Sequence, residues 1–354
     1  MAGRILVTGG AGYIGSHVTQ KLLAEGFEVV VYDNLSTGFR EAVPAEAFFV
    51  RGDVRNYQLL SETMQSYKID SVIHFAAKLL VGESVVDPYG YYDNNVGGSL
   101  TLASACRDNN IKKIVFSSTA AVYGDAKASG FVDEHATTLP LNPYGNTKLA
   151  AEQIFKDGHI AHDLNYVILR YFNVAGAALD GSNGQRTKQA THLIKTASQV
   201  ALTNKPFLQI YGHDYNTPDG TCIRDYIHVE DLADIHVLAV KYLNNGGSSE
   251  VMNCGYGSGF SVLDVVRTIK KISAHDFEIV FADRRPGDAA SLVADSSKAR
   301  GLLSWSPQRN NLETICRSAI EWELKMINST KPDRKIDRLA DLLSGSMASR
   351  EIRF

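Results

Sequence analysis

The chain has 354 residues, 36 Lys and Arg against 39 Asp and Glu, and a formal net charge of −3, a balance that excludes the electrostatic footprint of a nucleic-acid binder. Its 44% hydrophobic and 21% charged content is that of a soluble globular chain with room for a large core or two lobes. The four cysteines (Cys106, Cys222, Cys254, Cys316) lack metal-ligand or redox spacing and read as buried small hydrophobes in a reducing cytoplasm; no metal site, signal peptide or membrane-spanning apolar run is expected.

"RILVT" (4–8) reads as a first strand ending at glycines, and "HVTQKLLAEG" (17–26) as a helix with a glycine stop. "EVVVYD" (28–33) and "AFFVRGD" (47–53) are strands, "YQLLSETMQSY" (57–67) a helix, and "SVIHFAA" (71–77) a fourth strand. A helix near 93–109, the strand "KIVFSS" (113–118), a helix opening at "NPYGNTK" and the strand "NYVILRYF" (165–172) follow. Strands and helices alternate, and the strands are nearly continuous apolar runs. The expected fold is therefore α/β: a doubly wound parallel sheet, with a smaller mixed lobe after it. The expected division is 1–175 for the sheet domain and 176–329 for the second lobe, with 222–240 returning to the first. A loop is expected at 177–189 and a polar tail at 330–354.

"VTGGAGYIGSH" joins the first strand to the first helix. Gly9, Gly12 and Gly15 allow a tight turn and close backbone approach to a pyrophosphate at the helix N-terminus. Asp33 ends the second strand where a dinucleotide fold places the acid that accepts from ribose hydroxyls; the alternative is a turn aspartate. A carboxylate there favours NAD over NADP.

"NPYGNTKLAAEQ" is a helix start, with Asn142 as cap and Pro143 at the first position. Tyr144 and Lys148 then share one helix face. A free phenol ionises near pH 10, and bringing it to phenolate at pH 7 costs about 4 kcal/mol. A neighbouring ammonium stabilises the phenolate, so Tyr144 reads as a general base and Lys148 as its tuner. Ser117, Ser118 and Thr119 end the fifth strand and place hydroxyls at the same edge.

Together with "YDNLS", "VIHFAA", "VGESV", "YYDNNV", "SSTAAVYGD", "LRYFNVAGA", "DGTCIRDYIHVEDLADIH" and "RRPGD", these stretches resemble the extended short-chain dehydrogenase/reductases, and within them the nucleotide-sugar 4-epimerases. The likeness spans about residues 3–325, and "ATHLIK" and "NCGYGSGFSV" look most like bacterial members that feed exopolysaccharide synthesis. It implies reversible C4 epimerisation of UDP-glucose and UDP-galactose through a transient 4-keto sugar, with tightly bound NAD, in a cytoplasmic homodimer.

It also implies a catalytic set of Thr119, Tyr144 and Lys148. The implied NAD positions, beside the glycines and Asp33, are Tyr13, Ile14, Asn34, Leu35, Ser36, Thr37, Gly38, Asp53, Val54, Phe75, Ala76, Ala77, Leu79, Asn94, Ser117, Tyr144, Lys148 and Phe172. The implied UDP-sugar positions are Thr119, Tyr144, Asn173, Leu193, Gln209, Tyr211, Val262, Asp288 and Leu292, with Arg224 and Arg285 clamping the diphosphate. Leu79 stands where many members carry lysine, and His192 replaces an asparagine; the histidine is given no chemistry.

Three other readings stand beside the epimerase one. A simple NAD-dependent reductase shares the catalytic set but releases NADH at every turnover, so retention of NAD by the purified protein separates the two. A 4,6-dehydratase needs an acid beside the threonine, and Ala120 and Ala121 follow Thr119 here. An NAD-sensing regulator has no need of Tyr144 and Lys148 together.

Overall fold

The computed structural model describes residues 3–124, 131–187, 191–203, 205–285 and 288–330; the expected tail beyond Thr330 and the end of the 177–189 loop lie outside them. In the first half, β1 (Arg4–Thr8), α1 (Tyr13–Ala24), β2 (Glu28–Asp33), β3 (Phe48–Arg51), α2 (Tyr57–Ser66) and β4 (Ser71–His74) are followed by short α3 (Val81–Val86) and α4 (Pro88–Tyr91). Then come α5 (Gly98–Asp108), β5 (Lys113–Thr119), β6 (Phe131–Val132), α6 (Pro143–His162), β7 (Asn165–Tyr171) and β8 (Asn173–Ala175). The second half holds α7 (Leu193–Leu202), β9 (Phe207–Tyr211), β10 (Ile223–His228), α8 (Val229–Asn244), β11 (Glu250–Cys254), β12 (Gly259–Ser261), α9 (Val262–Ser273), β13 (Glu278–Ala282), β14 (Ser291–Ala294), α10 (Ser297–Leu303) and α11 (Leu312–Thr330).

Seven strands form one sheet in the order β11-β7-β5-β4-β1-β2-β3, every pair parallel. Alternation along each strand feeds two cores. Ile5, Val7, Val29, Val31 and Ile73 pack into the core that contains α8 side chains such as Leu232 and Ile235. Leu6, Val30, Val72, Ile114 and Phe116 pack with Leu60 of α2, Leu102 of α5 and Phe155 of α6. Both faces are buried, which is why these strands read as unbroken apolar runs. The helix α1 starts at Tyr13, four residues earlier than the apolar spacing indicates, because Gly12 already serves as its N-cap.

The expected return of 222–240 to the sheet domain applies to its helix and not to its strand. The helix α8 does return, packing on α1. The strand β10 stays in the second lobe, in a sheet of order β12-β10-β14-β6 with β8 beside β10. The strand that rejoins the main sheet is β11, in register with β7 from Glu250↔Val167 to Cys254↔Tyr171. In the other direction, β6 leaves the first half of the chain to pair with β14.

Helices α7, α9 and α11 pack on one another in the second lobe. A buried ion pair, Lys195–Glu323, joins α7 to α11, both side chains 8% exposed. Lys195 also donates to the Gln185 carbonyl at 2.7 Å, and Glu323 accepts from Gln199 at 3.3 Å. Removing one member strands the other charge. Glu323→Ala should therefore cost about 3–5 kcal/mol in urea unfolding, and Lys195→Met with Glu323→Leu should recover most of it.

Candidate active site

Parallel strands point their carboxyl ends at one edge, so the residues that follow Thr8, Asp33, His74, Thr119 and Tyr171 all meet there. At the end of β1, Gly9 has φ +73°, and a Cβ on it would lie 2.6 Å from the Ala76 amide. A Cβ on Gly15 would overlap the Gly9 carbonyl oxygen. Gly12 caps α1 with no side-chain hydrogen bond, and the first turn holds no acid. The first-turn N–H groups are thus left for an external anion. Tyr13 donates its hydroxyl to the Gly176 carbonyl at 2.6 Å, and Ile14 packs on the core.

Asp33 is 7% exposed, and burial raises its pKa. It accepts from the Ala11 amide at 3.0 Å and the Leu35 amide at 2.8 Å, so the turn role holds, and it fixes the glycine loop in place. Leu35 sits at φ +61° in that turn. The Asn34 side chain accepts from the Ser36 amide at 2.9 Å and donates to Asp53 at 3.1 Å. Past Ser36 and Thr37, a Cβ on Gly38 would lie 2.9 Å from the Ala11 Cβ, so 34–38 runs along the glycine loop. Asp53 is engaged by Arg55, whose guanidinium holds its carboxyl well below the usual range.

Several apolar positions are core. Val54 is 5% exposed among α2 and α5 side chains, and Phe172 is 6% exposed beside Val122 and Tyr123. Phe75 packs on His236, ring centroids 4.8 Å apart, and Ala76 and Ala77 follow it under the glycine loop. Leu79 is exposed, and Lys78 turns instead to Asp87 and Glu83 at 3.4 and 3.6 Å. Asn94 lies in a π-helical turn, Tyr92–Gly97, and donates to Asn95 at 2.9 Å. Asn95, which sequence reasoning passed over, ties both backbone groups of Lys78 to Thr147 of α6.

Helix α6 begins as expected: Asn142 accepts from the Gly145 amide at 2.9 Å, with Pro143 at the first position. Thr119 accepts from the Ala121 amide at 3.2 Å, and its hydroxyl is near enough to the Tyr144 phenol to favour the ionised form. Burial pushes the Tyr144 phenol up to about 12, with the Thr119 hydroxyl pulling it down. Burial pushes the Lys148 ammonium down to about 7, against the upward pull of Glu152. The expected mutual tuning of phenol and ammonium is thus not the leading influence on either group; desolvation is. Shared helix face notwithstanding, the Lys148 nitrogen lies 4.6 Å over the Phe116 ring, with no hydrogen-bond partner among the described residues. Alternation along β5 also divides its three terminal hydroxyls. Ser117 bonds the Tyr171 hydroxyl, and Ser118, wholly buried, donates to Glu152 at 2.6 Å. Ser118 therefore belongs under the site and not at its edge.

Across the crevice, Asp288 gathers the expected clamp. Arg285 donates to it at 3.0 Å and Arg224 lies 3.7 Å from it. The Arg285 guanidinium sits 4.9 Å over the Tyr211 ring, and Tyr211 donates to Gln209 at 3.1 Å. Leu292 pairs in register with Arg224 and packs against the cluster of Tyr123 and Phe172, beside the turn after Thr119. Val262 opens α9, its amide on the Cys222 carbonyl at 3.1 Å. Asn173, at the start of β8, and Leu193, at the start of α7, line one cavity with His192 and Trp322. No cluster among the described residues could hold a metal ion.

The chain belongs to the NAD dependent epimerase/dehydratase family, whose model matches residues 5–255. It is 54% identical over 326 residues to the UDP-glucose 4-epimerase of Azospirillum brasilense, spanning 92% of this chain and 93% of that one. The UDP-glucose 4-epimerase from Brucella ovis in complex with NAD matches with a TM-score of 0.87 and 45% identity, over 90% of this chain and 98% of that one. The Bifidobacterium longum UDP-glucose 4-epimerase in complex with NAD+ and UDP gives 0.86 and 38%, over 92% and 99%.

The residues fit the family's cofactor. The glycine cradle has no room for a Cβ at Gly9 or Gly15, no side chain caps the α1 N-terminus, and the buried Lys148 amine, over the Phe116 ring, has no acceptor among the described residues. Gly15→Ala should fold yet lose most of its NAD through gel filtration, read from the absorbance of the nucleotide that elutes free. Retention equal to wild type would show that the cradle does not hold the cofactor.

Proposed function

We propose that the chain interconverts UDP-glucose and UDP-galactose at C4, with Tyr144 as general base, Thr119 as hydrogen-bond partner of the sugar O4, and Lys148 as the cation beside them. The observation that carries the reading is the convergence at the carboxyl edge of the sheet of Thr119, the last residue of β5, with Tyr144 at the start of α6 and Lys148 one turn along the same helix. Bound NAD supplies a reversible hydride acceptor for C4. Tyr144 takes the O4 proton as the carbonyl forms and returns it when the sugar is reduced on its other face. Thr119 orients O4 and the phenol toward each other.

Arg224 and Arg285 hold the diphosphate, so binding energy sits on the nucleotide and the 4-keto hexose is free to turn. Leu292 forms part of the wall beside it. A dehydratase would need an acid next to Thr119, and the positions hold Ala120 and Ala121. Tyr144→Phe should abolish conversion of UDP-galactose to UDP-glucose without added NAD, by a hundredfold or more in kcat (about 10²–10⁴ for a lost general base). NAD and UDP should still bind. Residual activity near wild type would overturn the assignment.

The working form is a homodimer in the cytoplasm, where four buried, unpaired cysteines are at home. Support for the dimer comes from an apolar groove between α5 and α6, lined by Leu100, Ala103, Ile111, Ile154, Ala161 and Leu164. Leu100 is 56% exposed and, nearby on α6, Ile160 is 83% exposed. Sedimentation should give a dimer for the wild type and a monomer for Leu100→Glu; a wild-type monomer would refute it.

A further inference from the structure

One buried carboxylate lies under the whole catalytic group. Glu152 is 0% exposed and sits on α6, one turn past Lys148 and two past Tyr144. Its Oε1 accepts from Ser118 at 2.6 Å and from the Arg170 Nε at 2.9 Å; its Oε2 accepts from the Arg170 Nη2 at 2.6 Å. Ser118 directly precedes Thr119 on β5. Arg170 faces Ser118 in register on β7 and directly precedes Tyr171, whose hydroxyl meets Ser117. Three elements that carry or adjoin the reacting groups are thus tied at one point.

We propose that Glu152 is a positioning residue for the reaction: it locks α6 to β5, fixing Tyr144 and Lys148 relative to Thr119, and its carboxylate, one helical turn from Lys148, acts on that amine in favour of the charged form. This rests on the function assigned above.

Charge accounting supports the second half. Arg170 and Glu152 form a closed pair, side chains 4% and 0% exposed. Lys148, 4% exposed, has no ion-pair partner of its own among the described residues and lies on the Phe116 ring. Glu152 is the one acid that pulls its pKa upward, and without that pull desolvation acts alone. The other titratable groups around this pocket whose ionisation is shifted are drawn toward their neutral forms, and the acids near it, Glu83 beside Tyr91 and Glu134 beside Tyr123, act on those phenols. His74 on β4 is pushed down to about 3 by burial, and Tyr171 on β7 and Tyr91 on α4 are raised above the free phenol value by burial. Tyr123, in the turn after β5, is raised to about 12 and bonds Arg170. Tyr166 at the start of β7 is raised, again mainly by burial. Glu134 acts on the Tyr123 side, through the Asn253 amide. On α6 itself, Lys156 lies 3.5 Å from the Glu152 Oε2, its side chain 28% exposed.

Two neighbours of Lys148 therefore act with opposite sign. Glu152→Gln keeps the shape and an acceptor oxygen but removes the charge, which disfavours the ammonium and lowers the Lys148 pKa. Lys156→Met removes a cation that offsets Glu152, which favours the ammonium and raises it.

The experiment uses NAD-loaded enzyme. The kcat for UDP-galactose is measured against pH, and the rate at which acetic anhydride acetylates Lys148, read by mass spectrometry, is measured over the same range. Only the free amine is acetylated, so the second curve reports the lysine whether or not the enzyme turns over. Glu152→Gln should move the midpoint of acetylation and the alkaline limb of kcat to lower pH by about one unit. Lys156→Met, at a partly exposed position that should fold normally, should move both to higher pH by a smaller amount. Uniform loss of kcat with unmoved midpoints in both variants would overturn the electrostatic role. If Glu152→Gln does not fold, an unmoved Lys156→Met midpoint overturns it alone. Failure of the function itself would appear differently, as wild-type enzyme that leaves UDP-galactose unchanged.

Discussion

All seven strands of the main sheet are hydrogen-bonded in parallel, and that one constraint places the site. Parallel pairing forces each strand to return by a crossover, so every carboxyl end lies on the same edge and every connection leaves from it. The chain builds outward from β1 through β2 to β3, then restarts at β4 on the other side. The split between β1 and β4 leaves a crevice at that edge. The glycine loop fills its floor, since Gly9 and Gly15 let backbone meet backbone where a Cβ would collide. Asp33 closes one side, and Thr119 with Tyr144 closes the other.

Within this frame, burial is the main electrostatic influence. Tyr144, Lys148, His74 and Tyr171 all shift toward their neutral forms, each chiefly because water is excluded. Groups drawn toward their neutral forms exert less pull on a charged ligand than the same groups would in water. The net charge of the crevice is set by the few ions fixed inside it and by whatever binds. The second lobe is the opposite case. There Arg224 and Arg285 converge on a single carboxylate, so one unit of positive charge is left over at the place expected to meet a diphosphate.

Most of the architecture was legible in the sequence because two-sided burial writes itself into the strands as apolar runs, and because caps such as Asn142 and Pro143 mark helix starts. The glycine loop and the Tyr144–Lys148 spacing were legible for the same reason: backbone sterics and helix periodicity leave few options. What escaped depended on long-range pairing. "EVMNC" carries no mark that assigns it to the first sheet, and only its register with β7 does so. Adjacency in the sequence sets Ser118 beside Ser117 and Thr119, although strand alternation turns it to the opposite face. The pairing of Glu152 with Arg170 is likewise not written in the local sequence. The available signal was an acid one turn from a buried lysine and an arginine inside the apolar run "VILRYF", two charges that need partners if those elements are buried. Neither names its partner from the sequence alone.

The placement of β11 bears on how the molecule is made. Strand β7 gains its outer neighbour only from residues 250–254, after the chain has built α7, β9 and β10 in the second lobe and laid α8 on the face of the sheet. During synthesis the growing sheet must therefore present β7 as an open edge, with its amides and carbonyls unpaired, for the time it takes to translate that intervening stretch. Such an edge is a template for any extended strand nearby, including one from a neighbouring nascent copy. The order of the strands thus leaves one edge of the main sheet unpaired until residues 250–254 exist.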